Sequence, residues 1–247
     1  MSRIDLNADV GEGAASDAEL VPLVTSVNIA CGAHAGDPQT MRRTVELAVR
    51  HGVAIGAHPG FADRGNFGRA EVSLSPGKAR ELILWQVALL QEVAAGLGAR
   101  VGHVKLHGAL YNMAARDGTL AAEVAGAVRS LGGALVLVGL AGSRLLEAGR
   151  GAGLRVKAEA FADRAYLRDG TLAPRSDPGS VIADPETALR QALGIVLEGS
   201  VTARDGSALR LEADTLCIHG DSRGAAKFAR RIRAGLSAAG VAVRSWD

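Results

Sequence analysis

The chain has 247 residues, 48% of them hydrophobic, with 32 glycines, only two tryptophans, two tyrosines and four phenylalanines, and a formal net charge of +2. This supplies a core for one α/β barrel or two smaller domains, and with no basic run or interleaved aromatic stripe nucleic acid is not an expected partner. No apolar run reaches the roughly 18 residues of a membrane span, nothing before Arg3-Ile4-Asp5 reads as a signal peptide, and Cys31 and Cys217 make neither a disulfide framework nor a zinc pattern; a cytoplasmic enzyme without membrane contact is expected.

Residues 3–9 alternate strictly, with Ile4, Leu6 and Ala8 on one face and Asp5, Asn7 and Asp9 on the other. A surface strand alternates in the same way, but two carboxylates and an amide followed by Gly11 and Gly13 fit a strand that turns its polar face into a site. The stretch Val27-Asn-Ile-Ala-Cys-Gly-Ala-His-Ala-Gly-Asp37 reads as the end of a buried second strand (22–31), which carries Asn28, running into a polar loop that carries His34. Asp37-Pro38 then looks like an N-cap and first helical residue. His51-Gly52 closes that helix, and a third strand follows to His58, with Ala54, Gly56 and His58 on one face. The polar loop 60–75 reads as a substrate lid, and Ser75-Pro76 as the cap of a long helix.

The fourth strand, 101–108, aligns His103, Lys105 and His107, three basic groups that the carboxylates of the first strand could balance. Tyr111 and Asn112 fall in the next loop, and 114–130 reads as one helix. An almost purely apolar strand (134–139) leads to a glycine-rich turn that either holds an anion or is a serine-capped helix start. A sixth strand (154–160) carries Lys157, Glu159 and Phe161 on one face, followed by Asp163, Arg164 and Tyr166. Residues 169–181 read as loop, Asp184-Pro185 as a helix start. A seventh strand, 215–219, ends at His219 ahead of Asp221. Strand–helix units without a linker predict one domain, 1–247, an α/β barrel of seven or eight strands with its site at their C-terminal ends.

The expected catalytic set is Asp9, His58, Lys105, His107 and Glu159. Asp5, Asn7, Asn28, His34, Asp37, Tyr111, Asp163, Arg164 and His219 are expected to bind substrate, Asp37 being also a natural cap. No P-loop, Gly-x-Ser-x-Gly elbow or compact His-x-x-x-His motif occurs, so any metal ligands would come from separate strands, and Cys31 reads as a small buried residue.

Six segments resemble the LamB/YcsF family: 4–12, 26–37, 52–60, 103–113, 161–166 and 218–221. The resemblance implies a (β/α)7 TIM-like barrel of the glycoside hydrolase/deacetylase type. It implies cleavage of 5-oxo-L-proline to L-glutamate with hydrolysis of ATP, Mg2+ being the nucleotide's counter-ion, in company with B and C subunits. Lys105 and Arg164 would offset anionic charge, and Asp9 with His58 or His107 would move protons. The segment Gly13–Asp17 is shorter than the family's usual loop, Leu106 stands where a proline is usual, and Ala33 where an aromatic is. Related deacetylase barrels bind a metal through an aspartate and two histidines. Val10 occupies the place of one of their two first-strand aspartates, so no tightly bound metal is expected. A stand-alone metal-dependent amidohydrolase and a non-catalytic lactam-binding component are the rival readings.

Overall fold

Both faces of the first strand, β1 (Arg3–Val10), are covered from Ile4 onward, so its apolar side meets helices while its polar side is sealed inside. Five parallel strands follow: β2 (Ser26–Ala30), β3 (Ala54–His58), β4 (His103–Lys105), β5 (Val136–Leu140) and β6 (Arg155–Phe161). An antiparallel hairpin, β7 (Ser200–Thr202) and β8 (Ala208–Arg210), precedes β9 (Thr215–His219). β9 pairs in parallel with both β6 and β1, and the sheet closes into a seven-stranded parallel barrel, as the family resemblance implied. This computed structural model describes residues 2–14, 16–75, 77–219 and 224–246, and of His219 only the backbone. Asp221 and Pro76 lie outside the described residues.

Among the described residues eight α-helices surround the barrel: α1 (Asp17–Leu20), α2 (Pro38–His51), α3 (Lys78–Ala95), α4 (Gly108–Arg116), α5 (Gly118–Ser130), α6 (Arg144–Gly151), α7 (Pro185–Leu193) and α8 (Ala225–Ala238). Asp37 and Asp184 each cap a helix that opens with proline, accepting from Thr40 N at 2.7 Å and Thr187 N at 2.8 Å. Ser143 caps α6, so the glycine-rich turn is the plainer of its two expected forms. None of the described helices is long and apolar enough to cross a membrane.

Two expectations need correcting. The segment 114–130 belongs to two helices, because Asp117 breaks the run and caps α5 through Thr119 N and Leu120 N. The fourth strand ends at Lys105; His107 is the N-cap position of α4, which carries Tyr111 on a helix rather than in a loop. The loop 60–75 is anchored at Phe61 and Gly68, which are buried on either side of the mostly exposed residues 62–66, and Gly68 O accepts from Ala109 N. That contact requires glycine at 108, where φ is +59° and a Cβ would lie 2.5 Å from Gly68 O.

Beyond the barrel, β10 (Ala242–Val243) pairs with the start of β1. Trp246 follows it and closes the barrel's lower end against His103, Val136 and Val138.

Candidate active site

Barrel interiors of this class are normally filled by branched apolar residues. Here they are filled by a polar network assembled from strands on all sides. Asp5 accepts from Thr25, Ser26 and Thr215 hydroxyls at 2.6, 2.7 and 2.5 Å. Burial, with Glu159 nearby adding to it, still pushes its carboxyl up to about 6 against those bonds. Asn7 donates to Glu159 Oε1 at 2.9 Å and Thr215 Oγ1 at 2.7 Å, and accepts from Asn28. Asn28 also donates to Asp9 Oδ1 at 2.9 Å, and its own oxygen accepts from His103 Nε2 at 2.9 Å. Burial, helped by the Lys105 charge, drops His103 to about 3, so it is a neutral structural donor.

The small residue at position 56 has a defined job. Gly56 lies between Asn28 and His103 in the register, and a Cβ there would sit 2.0 Å from His103 Nε2. The space that the sequence suggested below His58 is filled by a neighbouring histidine reaching across to Asn28.

At the top of the network Lys105 Nζ lies 2.9 Å from both Asp9 Oδ1 and Glu159 Oε1, and 3.1 Å from Cys217 Sγ. Burial disfavours its charge, but Asp9, Cys217 and Glu159 outweigh burial and raise its pKa well above the ordinary value. Tyr111 donates to Glu159 Oε2 at 2.8 Å. Asp9 Oδ2 stands 3.3 Å from His58 Nε2, and this charge holds His58 above its ordinary pKa even though burial works the other way.

Next to His58 is a group that periodicity did not reveal. Glu12 Oε1 lies 3.2 Å from His34 Nε2, 3.3 Å from His107 Nδ1 and 3.8 Å from His58 Nε2. Burial opposes its ionisation, but the imidazoles of His107, His34 and His58 around it reverse this and hold it well below the usual carboxylate range. Burial lowers both His107 and His34, the latter to about 4. The His34 and His107 rings stack in parallel, 3.8 Å between centroids, and Phe67 packs edge-on against both.

This constellation opens into a cleft of about 560 Å³. One wall comes from the turn after β3 with α4, the other from the segment after β6. Arg164, 5% exposed, is held there by the carbonyls of Ser180 and Ala173, and burial lowers it to about 10. Arg69, Arg116 and Arg175 also line the cleft, together with Asp169 and with Glu71, which pairs with Arg116 at 2.6 Å. Asp163 is buried just before Arg164.

Residues 4–247 match the family model described as the LamB/YcsF family. The chain belongs to the LamB/YcsF family. It is 52% identical over 248 residues to the A subunit of 5-oxoprolinase from Heliobacterium modesticaldum, covering 98% of each chain. A solved relative is the lactam utilization protein from Thermus thermophilus, 49% identical, with a TM-score of 0.91 over 99% of this chain and 100% of that one. The peptidoglycan deacetylase PdaC from Bacillus subtilis, 14% identical over 99% of this chain and 88% of its own, shares the fold alone at a TM-score of 0.52.

Of the expected site residues in this LamB/YcsF chain, Asp5, Asn7, Asp9, Asn28, His34, His58, Lys105, His107, Tyr111 and Glu159 form the connected interior, and Arg164 joins them at the cleft. Asp37 does not join them. Its carboxylate is exposed and engaged at the α2 N-terminus. The backbone of His219 sits beside Asp9 in the register, and its side chain lies outside the described residues. Glu12 and Cys217 were missed as site residues. Glu12 sits past the strand's end, where alternation carries no information; a lone acid between Gly11 and Gly13 at the mouth of a polar strand was the available signal. Cys31 is buried, and burial pushes its thiol up to about 12.

Proposed function

We propose that this chain is the A subunit of an ATP-dependent 5-oxoprolinase, opening the lactam of 5-oxo-L-proline to L-glutamate with hydrolysis of ATP, together with B and C subunits. The observation that carries the reading is full-length similarity, at 52% identity, to proteins named as the A subunit of 5-oxoprolinase. The chemistry of the cleft is consistent with it. A lactam is an amide whose resonance makes direct attack by water slow. Phosphorylation of the amide oxygen by ATP, with Mg2+ as the nucleotide's counter-ion, would convert it into a reactive electrophile.

In this reading Arg164 and Lys105 offset charge on the substrate's carboxylate or on the phosphoryl group. Asp9 is paired with Lys105 and lies against His58, so the pair can take a proton from water and deliver one to the leaving nitrogen; His107 touches His58 and extends the relay. Tyr111 and Glu159 hold Lys105 in place.

The test is release of glutamate and ADP from 5-oxoproline and ATP by this chain alone and with its candidate B and C partners. Turnover only in the full mixture, lost in Asp9→Asn and His107→Ala, supports the reading. ATP-independent amide cleavage by the chain alone refutes it in favour of a stand-alone amidohydrolase. Turnover in the complex that survives both substitutions leaves a binding component.

A further inference from the structure

The mouth of the barrel contains atoms that no arrangement of hydrogens on neutral histidines can satisfy. His58 Nδ1 lies 2.9 Å from the Lys105 carbonyl, and His107 Nε2 lies 2.9 Å from the Phe67 carbonyl. A carbonyl only accepts, so both of these nitrogens carry hydrogen. In the neutral rings the remaining nitrogens, His58 Nε2 and His107 Nδ1, present lone pairs, and they face each other at 3.0 Å. Glu12 Oε1 closes the triangle at 3.3 and 3.8 Å. Three acceptors aimed at one another require a positive charge among them, a proton or a metal ion.

We propose that Glu12, His58 and His107 bind a divalent transition-metal ion of the zinc class. The backbone supports on the far side of each ring are those that orient metal-ligating histidines, fixing the tautomer and aiming the lone pair. Bonds of about 2.0–2.1 Å to a tetrahedral ion set neighbouring donors about 3.3 Å apart, and the three donor pairs here span 3.0 to 3.8 Å. Two imidazoles and one carboxylate suit zinc and its neighbours better than magnesium or calcium, which prefer oxygen donors throughout.

His34 also lies in this cluster, whose four donor atoms fall within 4.8 Å of one another. Its ring is nonetheless parallel to His107, with 1° between the planes, so an ion in the plane of one ring lies out of the plane of the other. His107 has a carbonyl behind it, whereas His34 Nδ1 has no hydrogen-bond partner among the described residues. His34 therefore positions Glu12 through Nε2 and remains outside the ligand set. Asp9 turns Oδ2 toward His58 Nε2 at 3.3 Å, but it is held through Oδ1 by Lys105 and Asn28 and does not belong to that donor cluster.

The site shares His58 and His107 with the proposed relay, an ion between them taking the place of the relayed proton there, and its test uses no turnover. The full chain, stripped with a chelator, is titrated with Zn2+ by calorimetry and with Co2+ by visible absorption. One ion per chain is expected, with the d–d bands of a low-coordinate Co2+ site. Loss of an outer-shell partner already costs about 10- to 100-fold in metal affinity, so Glu12→Gln and His107→Ala are expected to bind about 100-fold more weakly or worse. His34→Ala is expected to keep its single equivalent within about tenfold, since its role is that of an outer partner. Circular dichroism and melting of the metal-free variants check that they fold, and the conservative Glu12→Gln preserves shape. Absence of saturable binding by the unmodified chain overturns the proposal, as does binding left unchanged by both ligand substitutions. A doubly protonated His58, seen by 15N NMR at neutral pH in the presence of excess Zn2+, would identify a proton as the occupant and overturn it as well. A loss in His34→Ala equal to that in His107→Ala would overturn the three-residue assignment.

Discussion

Lys105→Met tests whether the interior network depends on one cation. Nζ lies 2.9 Å from a carboxylate oxygen on each of Asp9 and Glu159, and the three side chains are at most 8% exposed. At an effective dielectric of about 20, each contact is an attraction of about 6 kcal/mol. The desolvation of lysine, which methionine does not suffer, offsets part of the sum. Removing one partner of a buried ion pair costs about 3–5 kcal/mol because the other charge is left stranded. For a chain of this length that is a fall of roughly 10 °C in Tm.

The pH dependence gives the prediction its sign. In the wild type the Lys105 charge, its pKa raised, contributes fully at neutral and acid pH and is lost only in strong alkali. The deficit of the variant is therefore expected in full at neutral pH and shrinks only in strong alkali, read in calorimetric melts and urea titrations alike. A deficit below about 1 kcal/mol at neutral pH would refute the stranded-charge argument.

The remaining predictions concern positions with separable roles. Asp5 holds its proton to about 6 in the folded chain against an ordinary 3.8, so ionising it above that range destabilises the fold by up to about 3 kcal/mol, and stability from this group falls as pH rises between those values; Asp5→Asn should flatten that part of the Tm–pH curve. Gly56→Ala forces His103 off Asn28 and should cost about 1–3 kcal/mol or more, read as a lower urea midpoint at unchanged m-value. Asp37→Ala removes a helix cap and should cost about 1 kcal/mol while leaving 5-oxoproline turnover in the assembled complex unchanged; a large loss of turnover would return Asp37 to the site. Tyr111→Phe leaves Glu159 Oε2 without its phenolic donor and should cost about 1–3 kcal/mol, checked by the same urea titration.

What was legible in the sequence was whatever is periodic or local. Alternation along β1 placed Asp5, Asn7 and Asp9 on one face, and the same period aligned His103 with Lys105. Asp37-Pro38 and Asp184-Pro185 announced helix starts, because an aspartate followed by proline satisfies the first turn with little help from elsewhere. The order of strand and helix units was enough for a barrel.

Tertiary structure decided which of these faces meet. Barrel closure through β9 brings Asn7 and Lys105, distant in sequence, onto the single carboxylate of Glu159, and burial then sets which member of the network is charged. Glu12 became visible only there, since a loop residue has no period and its role depends on three histidines delivered by other segments. The same closure placed the carbonyls of Lys105 and Phe67 behind two imidazoles, so that orientation, which no residue spacing encodes, turned ordinary histidines into a pair of facing lone pairs.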